Sequence, residues 1–497
     1  MARLQKSTVR KSFYPLLLII LSVGSLTAMA QPWLDTRDTD LRVDIERLAH
    51  AGVVKVPINT WPLMWAGILN DLQSFDPKQL PQLQASYARV VAAGNRATRP
   101  GDTSLSAQLS VANEAQLFRH FGDSARDRGS FSLRRSGLSQ HFAYNLEVTQ
   151  VDNPWDADET HYDNSYFAFV WGNWIGLAGN IERWWGPGWN SSLILSNNAR
   201  PAPGLALQRN YSDASQLPVL HWLGPWTTSA FISQLDDQRS INNAKLVGMT
   251  LGFRPFQSLE INLRRTAQWG GDGRPDDLKS FFELVTGISD NCETPECKLT
   301  EPGNQLGAID ISWNLPWIEG SLYAQSVGED ESGALPSRSS RQYGFKRPID
   351  TGLVSGQLFI EHDNTSTVTY SRHYNILYNH SIYRTGYRYQ GRVIGATWDN
   401  DSKITSVGLL GHLSNGDAVE ARFSSGELNA DSIHGAASLH SITPEGGEFN
   451  SVSAKWRRSF SWGEAEINGR YTDSVVDGFG RQENHTGLGA SVTYRLD

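Results

Sequence analysis

From about residue 103 onward, apolar and polar side chains alternate along the chain with a period of two. In SLEINLR, for example, Leu259, Ile261 and Leu263 alternate with polar residues. The pattern recurs in LSAQLSV, AIDISWN, AVEARFS and AEINGRY, and we count roughly 16 to 20 such segments, separated by turns rich in Gly, Asp, Asn and Pro. This alternation predicts strands whose two faces meet different environments.

Two mainly β architectures accommodate so many alternating strands. In a secreted sandwich or propeller the apolar face forms a core, whereas in a transmembrane antiparallel barrel it contacts lipid and the polar face lines the lumen. Charged residues on the polar faces, such as Glu260, Arg264 and Asp310, favour the barrel. So do the unequal turn lengths and the 17 Trp, 16 Tyr and 19 Phe, many of which stand at the ends of alternating segments.

The first thirty residues are typical of a secretory signal. Basic residues from Arg3 to Lys11 precede the apolar run PLLLIILSVGSL, and small residues end the segment at Ala30. The apolar run is shorter than the roughly 20 residues that a spanning helix needs. We therefore predict a signal peptide over residues 1–30, which is cleaved on export.

The net charge excludes one class of partner. The chain has a formal net charge of −8, and removal of the basic signal makes the mature protein more acidic still. An acidic exported chain does not attract the phosphate backbone, so we expect no nucleic acid among its partners.

The two cysteines, Cys292 and Cys297, lie together in DNCETPECK. A zinc site would need two more ligands at a suitable spacing, and none is present nearby. An exported chain enters an oxidising compartment, where paired cysteines form disulfides. We predict a disulfide that closes a tight loop, and no metal or organic cofactor.

Residues 31–100 show a helical period instead. In TDLRVDIERLAHAG, Leu41, Ile45 and Leu48 share one helical face. A second helical stretch follows NTWPLMWAG, and a third runs through PKQLPQLQASYARVVAAG. Each apolar face must be covered, so these helices either pack on each other as a small bundle or pack into the rest of the protein.

The segment RWWGPGWNSSLILSNNARP, residues 183–201, contains the first group of candidate binding residues. Pro187 and Gly188 can form a tight turn, after which SLILSN is expected to run on as a strand. The tryptophans either pack around the turn or offer flat faces to sugar rings, with the polar side chains donating hydrogen bonds. For Asn198 and Arg200, the equal alternative is a structural role, in which they stabilise the lumen by ion pairing. The candidates are Arg183, Trp184, Trp185, Trp189, Asn197, Asn198 and Arg200.

A second group lies in QWGGDGRPDD. Its glycines permit close approach of a ligand, which makes Trp269, Asp272 and Arg274 a candidate glycan-contact set. The alternative is a flexible start to a long loop that continues into a short surface helix in DDLKSFFELV. Loops of more than about 15 residues are usually functional or disordered, and this one also carries the cysteine pair.

Four segments, in this order, resemble the Wzi family of outer-membrane capsule assembly proteins: QPWLDTRDTDLRVDIERLAHAGVVKVPINTWPLMW, RWWGPGWNSSLILSNNARP, QWGGDGRPDD and EPGNQLGAIDISW. Beyond residue 314 the chain resembles the family only in its alternating strands. The resemblance implies an eighteen-stranded outer-membrane barrel, here residues 101–497, with a helical plug, residues 31–100, at its periplasmic mouth. It also implies a lectin that holds capsular polysaccharide on the cell surface.

These observations predict an outer-membrane, lectin-like protein that attaches and organises capsular or extracellular polysaccharide. We expect a monomer surrounded by outer-membrane lipid. An acidic polymer would need local positive sites on so acidic a protein, and Arg200 and Arg274 are the predicted ones. A diffusion channel is the alternative, although the plug and long loops predict a closed lumen.

A hydrolase is a weaker alternative. The chain contains no G-x-S-x-G elbow, H-E-x-x-H motif or phosphate loop. His380 and Ser381 are adjacent in YNHSIYR, but adjacent residues of a strand point to opposite faces. We therefore predict that the protein is not an enzyme.

Reduction of the predicted Cys292–Cys297 disulfide should leave the barrel folded, because a disulfide in one loop constrains only its neighbourhood. Heat-modifiable mobility on gels, compared with and without reductant, measures this. A barrel that loses its folded mobility on reduction would contradict the prediction.

Overall fold

A computed structural model of the chain describes residues 31–496 except 124–125, 157, 287–300, 302, 330, 333–334, 337–338, 369–371, 431–439, 444–445 and 477–481. The predicted signal peptide, residues 1–30, and the predicted disulfide between Cys292 and Cys297 lie outside the described residues.

Eighteen antiparallel strands form a closed barrel, in which each strand pairs with its neighbours in sequence and the last pairs with the first. The strands, β1 to β18 in chain order, are Thr103–Ala112, Gly129–Leu138, Phe142–Asp152, Tyr166–Trp171, Trp174–Gly179, Gly204–Arg209, Trp226–Gln234, Lys245–Phe256, Leu259–Trp269, Gly303–Leu315, Gly320–Gly328, Ser339–Asp350, Val354–Val368, Lys403–Leu413, Ala418–Leu428, Gly447–Phe460, Gly463–Val476 and Gln482–Arg495.

Short two-residue strands add further pairings. Thr160–His161 extends the edge of β3, and Arg372–His373 extends β13. Four further two-stranded pairs are not part of the barrel sheet. They are Trp33–Leu34 with Leu63–Met64, Thr60–Trp61 with Trp184–Trp185, Glu331–Ser332 with Leu335–Pro336, and Arg388–Tyr389 with Arg392–Val393.

The connections differ in length between the two ends of the barrel. At one end, which we call the short-turn end, turns such as 139–141, 172–173 and 257–258 join neighbouring strands. At the other, the long-loop end, connections such as 180–203 and 270–302 are much longer. In outer-membrane barrels the short turns are periplasmic and the long loops are extracellular.

The strands have one apolar and one polar face, as the alternation in the sequence predicts. On β1, Leu109 and Val111 face outward and are each 55% exposed, whereas Ser106 and Ser110 are buried in the lumen. Exposed aromatic residues cluster at the short-turn end, including Trp171, Trp313, Trp317, Trp462 and Tyr494. An apolar outer band with an aromatic girdle is the surface that a barrel presents to lipid.

One connection at the short-turn end is long. Residues 210–225 join β6 to β7 and expose Leu217 and Trp222. The Trp222 indole contacts the ring of Phe253 edge to face, with the centroids 5.9 Å apart. Phe253 alternates on β8 with the lumenal Arg254, so this segment adds to the apolar outer surface.

Four α-helices and four 3-10 turns complete the described structure. The helices are α1, Thr39–His50; α2, Trp65–Gln73; α3, Gln84–Ala97; and α4, Leu278–Thr286. The 3-10 turns are Pro77–Gln79, Pro81–Leu83, His221–Leu223 and Pro316–Ile318. The prolines at residues 77 and 81 hold the chain in these turns, so α3 begins later than the sequence pattern suggested. Helix α4 is the short helix expected in DDLKSFFELV.

None of the helices in the described part of the chain is long and apolar enough to cross a membrane.

Helix α1 is buried on both sides. Toward α3, Asp44 accepts a hydrogen bond from the Arg89 guanidinium, with Nε and Oδ2 2.7 Å apart. Toward the barrel wall, Glu46 forms an ion pair with Lys346 of β12, with a separation of 3.0 Å. Both alternatives for the helices therefore hold at once: they pack on each other and into the barrel.

The helices share their apolar core with other parts of the chain. One buried cluster contains Leu48 of α1, Val90 of α3, Trp184 and Trp189 of the 180–203 connection, and Phe359 of β13. Removal of residues 31–100 would therefore expose apolar and charged surface inside the lumen.

The helices are expected to close the short-turn mouth, so a variant that lacks residues 31–100 should conduct more than the full chain in a planar bilayer. Folded, heat-modifiable mobility is the control for insertion. A folded variant with no more conductance than the full chain would show that the helices are not a plug.

Candidate functional site

The 180–203 connection folds into the lumen instead of projecting from the barrel. The backbone N–H groups of Trp189 and Ser191 donate to the two carboxylate oxygens of Glu361 on β13, at 2.8 and 2.9 Å. Gln325 on β11 accepts from the Leu193 N–H at 2.7 Å. Lumenal side chains of the strands thus hold the backbone of this loop in place.

The turn in RWWGPGWN depends on glycine. A Cβ at Gly188 would lie 2.3 Å from the backbone oxygen of Ser191, which is too close for any side chain. The residues that follow form irregular structure, so the expectation of a strand in SLILSN was wrong. Their backbone is bound by lumenal side chains such as Gln325 rather than by a neighbouring strand.

The three tryptophans of this segment are packed inside the protein. Trp184 and Trp189 are 0% exposed, and Trp185 is 1% exposed. Phe121 contacts Trp184 and Trp189 edge to face, and the Arg42 guanidinium lies 4.0 Å from the Trp189 ring centre. These rings have no face open to a sugar, and the packing alternative accounts for their position.

Asn198 and Arg200 brace neighbouring loops. Asn198 Oδ1 accepts from the Arg119 N–H at 3.0 Å. Arg200 forms ion pairs with Asp156 at 2.6 Å and with Asp163 at 3.1 Å. These carboxylates neutralise the Arg200 charge, so the structure does not make Arg200 the local positive site that its sequence context suggested.

The ion pair between Arg200 and Asp156 shifts the pKa values of both groups. Burial alone would lower the pKa of Arg200, but the charges and hydrogen bonds of Asp163 and Asp156 outweigh burial and raise it. Burial alone would raise the pKa of Asp156, but hydrogen bonds from His161 and Arg200 lower it. Arg200 and Asp156 therefore stay ionised at neutral pH.

The second candidate group lies against α4. Trp269 is buried, contacts Phe281 edge to face at 5.3 Å, and donates from Nε1 to Ser280 at 3.3 Å. Arg274 donates to the backbone oxygen of Glu301 at 2.5 Å. Asp272 is exposed and accepts from Asn243 at 2.9 Å. Of this group, Asp272 presents the most surface to solvent.

Residues 374–402 connect the two candidate groups, which the sequence did not indicate. The Tyr387 hydroxyl donates to the Ile194 carbonyl at 3.0 Å, and the Tyr383 hydroxyl donates to the Gly270 carbonyl at 3.0 Å. Tyr378 makes a similar bond to the Leu193 carbonyl. Like 180–203, this segment folds inward from the long-loop end, and we call the two segments the inner loops.

YNHSIYR was expected to form a strand, and this was wrong. His380 and Ser381 lie in irregular structure, and His380 pairs with Glu301 at 3.2 Å. Buried hydroxyls of the surrounding tyrosines bind backbone carbonyls, which stabilises the loop without a strand partner. The feature of the sequence that could have indicated an irregular loop is a run of tyrosines without strict apolar–polar alternation.

An exposed tryptophan of the long-loop end was also missed. Trp155 is 54% exposed, and the Arg392 guanidinium lies 5.1 Å from its ring centre. Arg392 is itself fixed by bonds to the carbonyls of Leu117 and Gln116, at 2.9 and 2.6 Å. Gly391 leaves room for this stack, because a Cβ there would lie 3.2 Å from Trp155 Nε1. The result is a flat indole face held on a rigid support.

Three of the predicted residues share one cavity. Arg183, Asn197 and Arg200 line it together with the half-buried Tyr389. Burial lowers the pKa of Arg183 to about 10, so its guanidinium remains charged at neutral pH. Burial raises the pKa of Tyr389 to about 12, and the nearby Arg200 charge opposes this. Trp155 precedes Asp156, the ion-pair partner of Arg200, so one loop carries both the exposed indole and a residue that binds the cavity wall.

The family model of the capsule assembly protein Wzi matches residues 98–485. The chain belongs to the Wzi family of capsule assembly proteins. A Klebsiella pneumoniae protein, described as an uncharacterized 55.8 kDa protein in the cps region, is 31% identical over 359 residues, which cover 70% of this chain and 69% of that protein.

A solved structure of Escherichia coli Wzi has the same fold. It is described as an outer-membrane protein involved in group 1 capsule assembly and as a carbohydrate-binding β-barrel. It aligns over 93% of this chain and 99% of its own, with a TM-score of 0.81 and 24% identity.

In this Wzi-family chain, no group of three or more His, Asp or Glu side chains within the described residues could hold a metal ion.

Glu361 is the residue whose replacement should loosen the first inner loop. In Glu361→Gln one carboxylate oxygen becomes a donor, so a buried N–H of Trp189 or Ser191 loses its acceptor, at a cost of about 1–3 kcal/mol. Hydrogen exchange at these two amides should accelerate roughly tenfold or more. Glu427→Gln, at an exposed position of β15, is the matched control. Unchanged exchange in Glu361→Gln would contradict the role of Glu361.

Proposed function

We propose that this protein resides in the outer membrane and binds polysaccharide at its long-loop end, where it attaches capsular or extracellular polysaccharide to the cell surface. Two findings support the proposal: membership of the Wzi capsule assembly family and the fold shared with a relative described as carbohydrate-binding. The observation that carries it is the exposed Trp155 indole on its Arg392 support.

An indole face suits sugar recognition because the C–H face of a sugar ring is apolar while its edge is polar. The Arg392 stack holds the ring in place before a ligand arrives, and the backbone N–H of Trp155 donates to Asp127 at 3.3 Å, which fixes the chain at this position. A ligand therefore binds without first ordering the side chain.

A diffusion channel is less well supported. Both inner loops occupy the lumen, and their backbone groups are bound by Glu361, Gln325 and the buried tyrosines. Helix α1 and the connection that follows it contact the wall at the short-turn end. A pore would require these bonds to break together.

The chemistry of the polymer remains a prediction. The acidity of the chain requires any acidic polymer to bind at local cationic sites, and the carboxylates around Arg200 neutralise the first one predicted. The glycan contact proposed at Trp155 does not depend on polymer charge.

Trp155→Ala should weaken glycan binding by the purified protein by about fivefold per site, because a stacked ring contributes about 1 kcal/mol. On cells, many copies hold one polymer, so surface retention should fall less than the affinity of a single site. A glycan array and an assay of cell-bound against released polysaccharide measure the two effects.

Trp222→Ala is the matched control, because Trp222 is similarly exposed but lies at the short-turn end. If Trp155→Ala binds glycan as well as the unmodified protein, the site lies elsewhere. If the unmodified protein binds no glycan and conducts ions, the channel alternative is correct.

A further inference from the structure

Arg183 differs from the other arginines buried in the protein. It is 8% exposed and, within the described residues, it forms no ion pair. Its Nη1 donates one bond, to the Ile181 carbonyl at 3.3 Å, and its Nε is buried without a partner. The guanidinium lies 4.4 Å from the Phe231 ring centre, which fixes its plane.

Other buried arginines have more partners in the protein, although Arg119 also has a buried Nε without one. Arg119 pairs with Glu182 at 3.0 Å, and Arg388 pairs with Asp399 at 2.7 Å. Arg209 and Arg392 form no ion pair among the described residues, but each donates to two backbone carbonyls. The described residues thus supply no anionic partner for the Arg183 charge, and they supply a hydrogen-bond acceptor for only one of its nitrogens.

Asn197 is the second unsatisfied group of the same cavity. Its side chain is 1% exposed, and both Oδ1 and Nδ2 are buried without a hydrogen-bond partner. Its backbone is fixed, because the Asn197 carbonyl accepts from Arg119 at 2.6 Å. A buried carboxamide without partners is unfavourable by several kcal/mol in an apolar setting, so the position favours a guest that supplies them.

The cavity that contains both groups is small. Its free volume is about 30 Å³, which is room for one or two water molecules or for one group of that size. Glu182 also lines it, but Arg119 and Arg126 neutralise that carboxylate at 3.0 and 2.9 Å. The partly exposed Arg200 and Tyr389 form the side that reaches the surface.

We propose that Arg183 and Asn197 form a seat for a single carboxylate, and that this carboxylate belongs to a uronic-acid unit of the bound polysaccharide. We call it the Arg183–Asn197 seat; the uronate assignment rests on the function proposed above. The planar guanidinium donates to carboxylate oxygens, and Asn197 Nδ2 adds a further donor. Asn197 Oδ1 can accept from a sugar hydroxyl.

The size of the cavity decides which part of a sugar enters it. A pyranose ring is too large for a space of about 30 Å³, whereas a carboxylate is close to the size of two water molecules. The ring itself would stay outside, beside Arg200 and Tyr389 and next to the loop that carries Trp155. Trp155 would then supply affinity for sugar rings in general, and the seat would supply selectivity for acidic ones.

The test compares an alginate oligosaccharide with its carboxyl-reduced, neutral counterpart, by calorimetry on the purified full chain. The unmodified protein should bind the acidic form at least about tenfold more tightly, as expected for a charge-assisted contact. Arg183→Gln should lose this preference and still bind the neutral form. Asn197→Asp, which preserves the side-chain size and repels a carboxylate, should do the same.

Arg209→Gln is the matched control. Arg209 is also 8% exposed and stacks on an aromatic ring, Trp226, at 3.8 Å, but it lies at the short-turn end. It should keep the preference for the acidic form. Heat-modifiable mobility monitors folding of every variant, and Asn197→Asp keeps the test decisive if Arg183→Gln does not fold.

Three outcomes would overturn the seat. Equal affinity of the unmodified protein for the two oligosaccharides would show that no carboxylate is recognised. Equal loss of both affinities in Arg183→Gln would assign Arg183 a structural role. Binding of acetate that depends on Arg183 and is as tight as that of the oligosaccharide would identify a free small anion as the ligand. By contrast, a protein that binds neither oligosaccharide nor any other glycan would refute the proposed function itself.

Discussion

The width of the barrel is the constraint on which the rest of the structure depends. Eighteen strands enclose more space than their own inward side chains can fill, and barrels of this size contain an aqueous channel unless other chain occupies it. Here the helices of residues 31–100 and the two inner loops enter the lumen. Their backbone N–H and C=O groups lose water on entry, so the wall has to supply hydrogen-bond partners. Glu361 and Gln325 do this for the first inner loop.

The same constraint explains the charges in the lumen. Arg264 and Asp310 are both fully buried and pair at 2.5 Å, while Arg264 also donates to the Asn59 carbonyl at 2.8 Å. A buried ion pair adds little stability over apolar packing, but removal of one partner is costly. Such pairs therefore favour one arrangement of loops and helices inside the barrel over others. Among the described residues, Arg183 has neither such a pair nor more than one hydrogen bond, which is why we propose that a ligand carboxylate binds there.

Local periodicity predicted the parts of this protein whose environment is uniform along the chain. SLEINLR has the apolar outer surface of the barrel on one side and the lumen on the other throughout β9, so its alternation was sufficient to predict a strand. The period in TDLRVDIERLAHAG predicted α1 for the same reason. YNHSIYR misled because each tyrosine of this inner loop has a different neighbour: Tyr383 binds the Gly270 carbonyl, whereas Tyr387 binds the Ile194 carbonyl. No period encodes such a set of contacts.

The sequence by itself determined the barrel, the helices and the family, because hydrophobic periodicity and ordered motifs are properties of neighbouring residues. Only the tertiary structure decided which aromatic and cationic side chains can meet a ligand. Trp155 and Trp189 are both loop tryptophans among polar residues, yet one is exposed and the other is sealed in the lumen. The Trp189 ring is covered by Phe121 and Arg42, and its backbone N–H is bound by a carboxylate 172 residues away. Contacts over such distances arise when the barrel closes, and they leave no mark in the adjacent sequence.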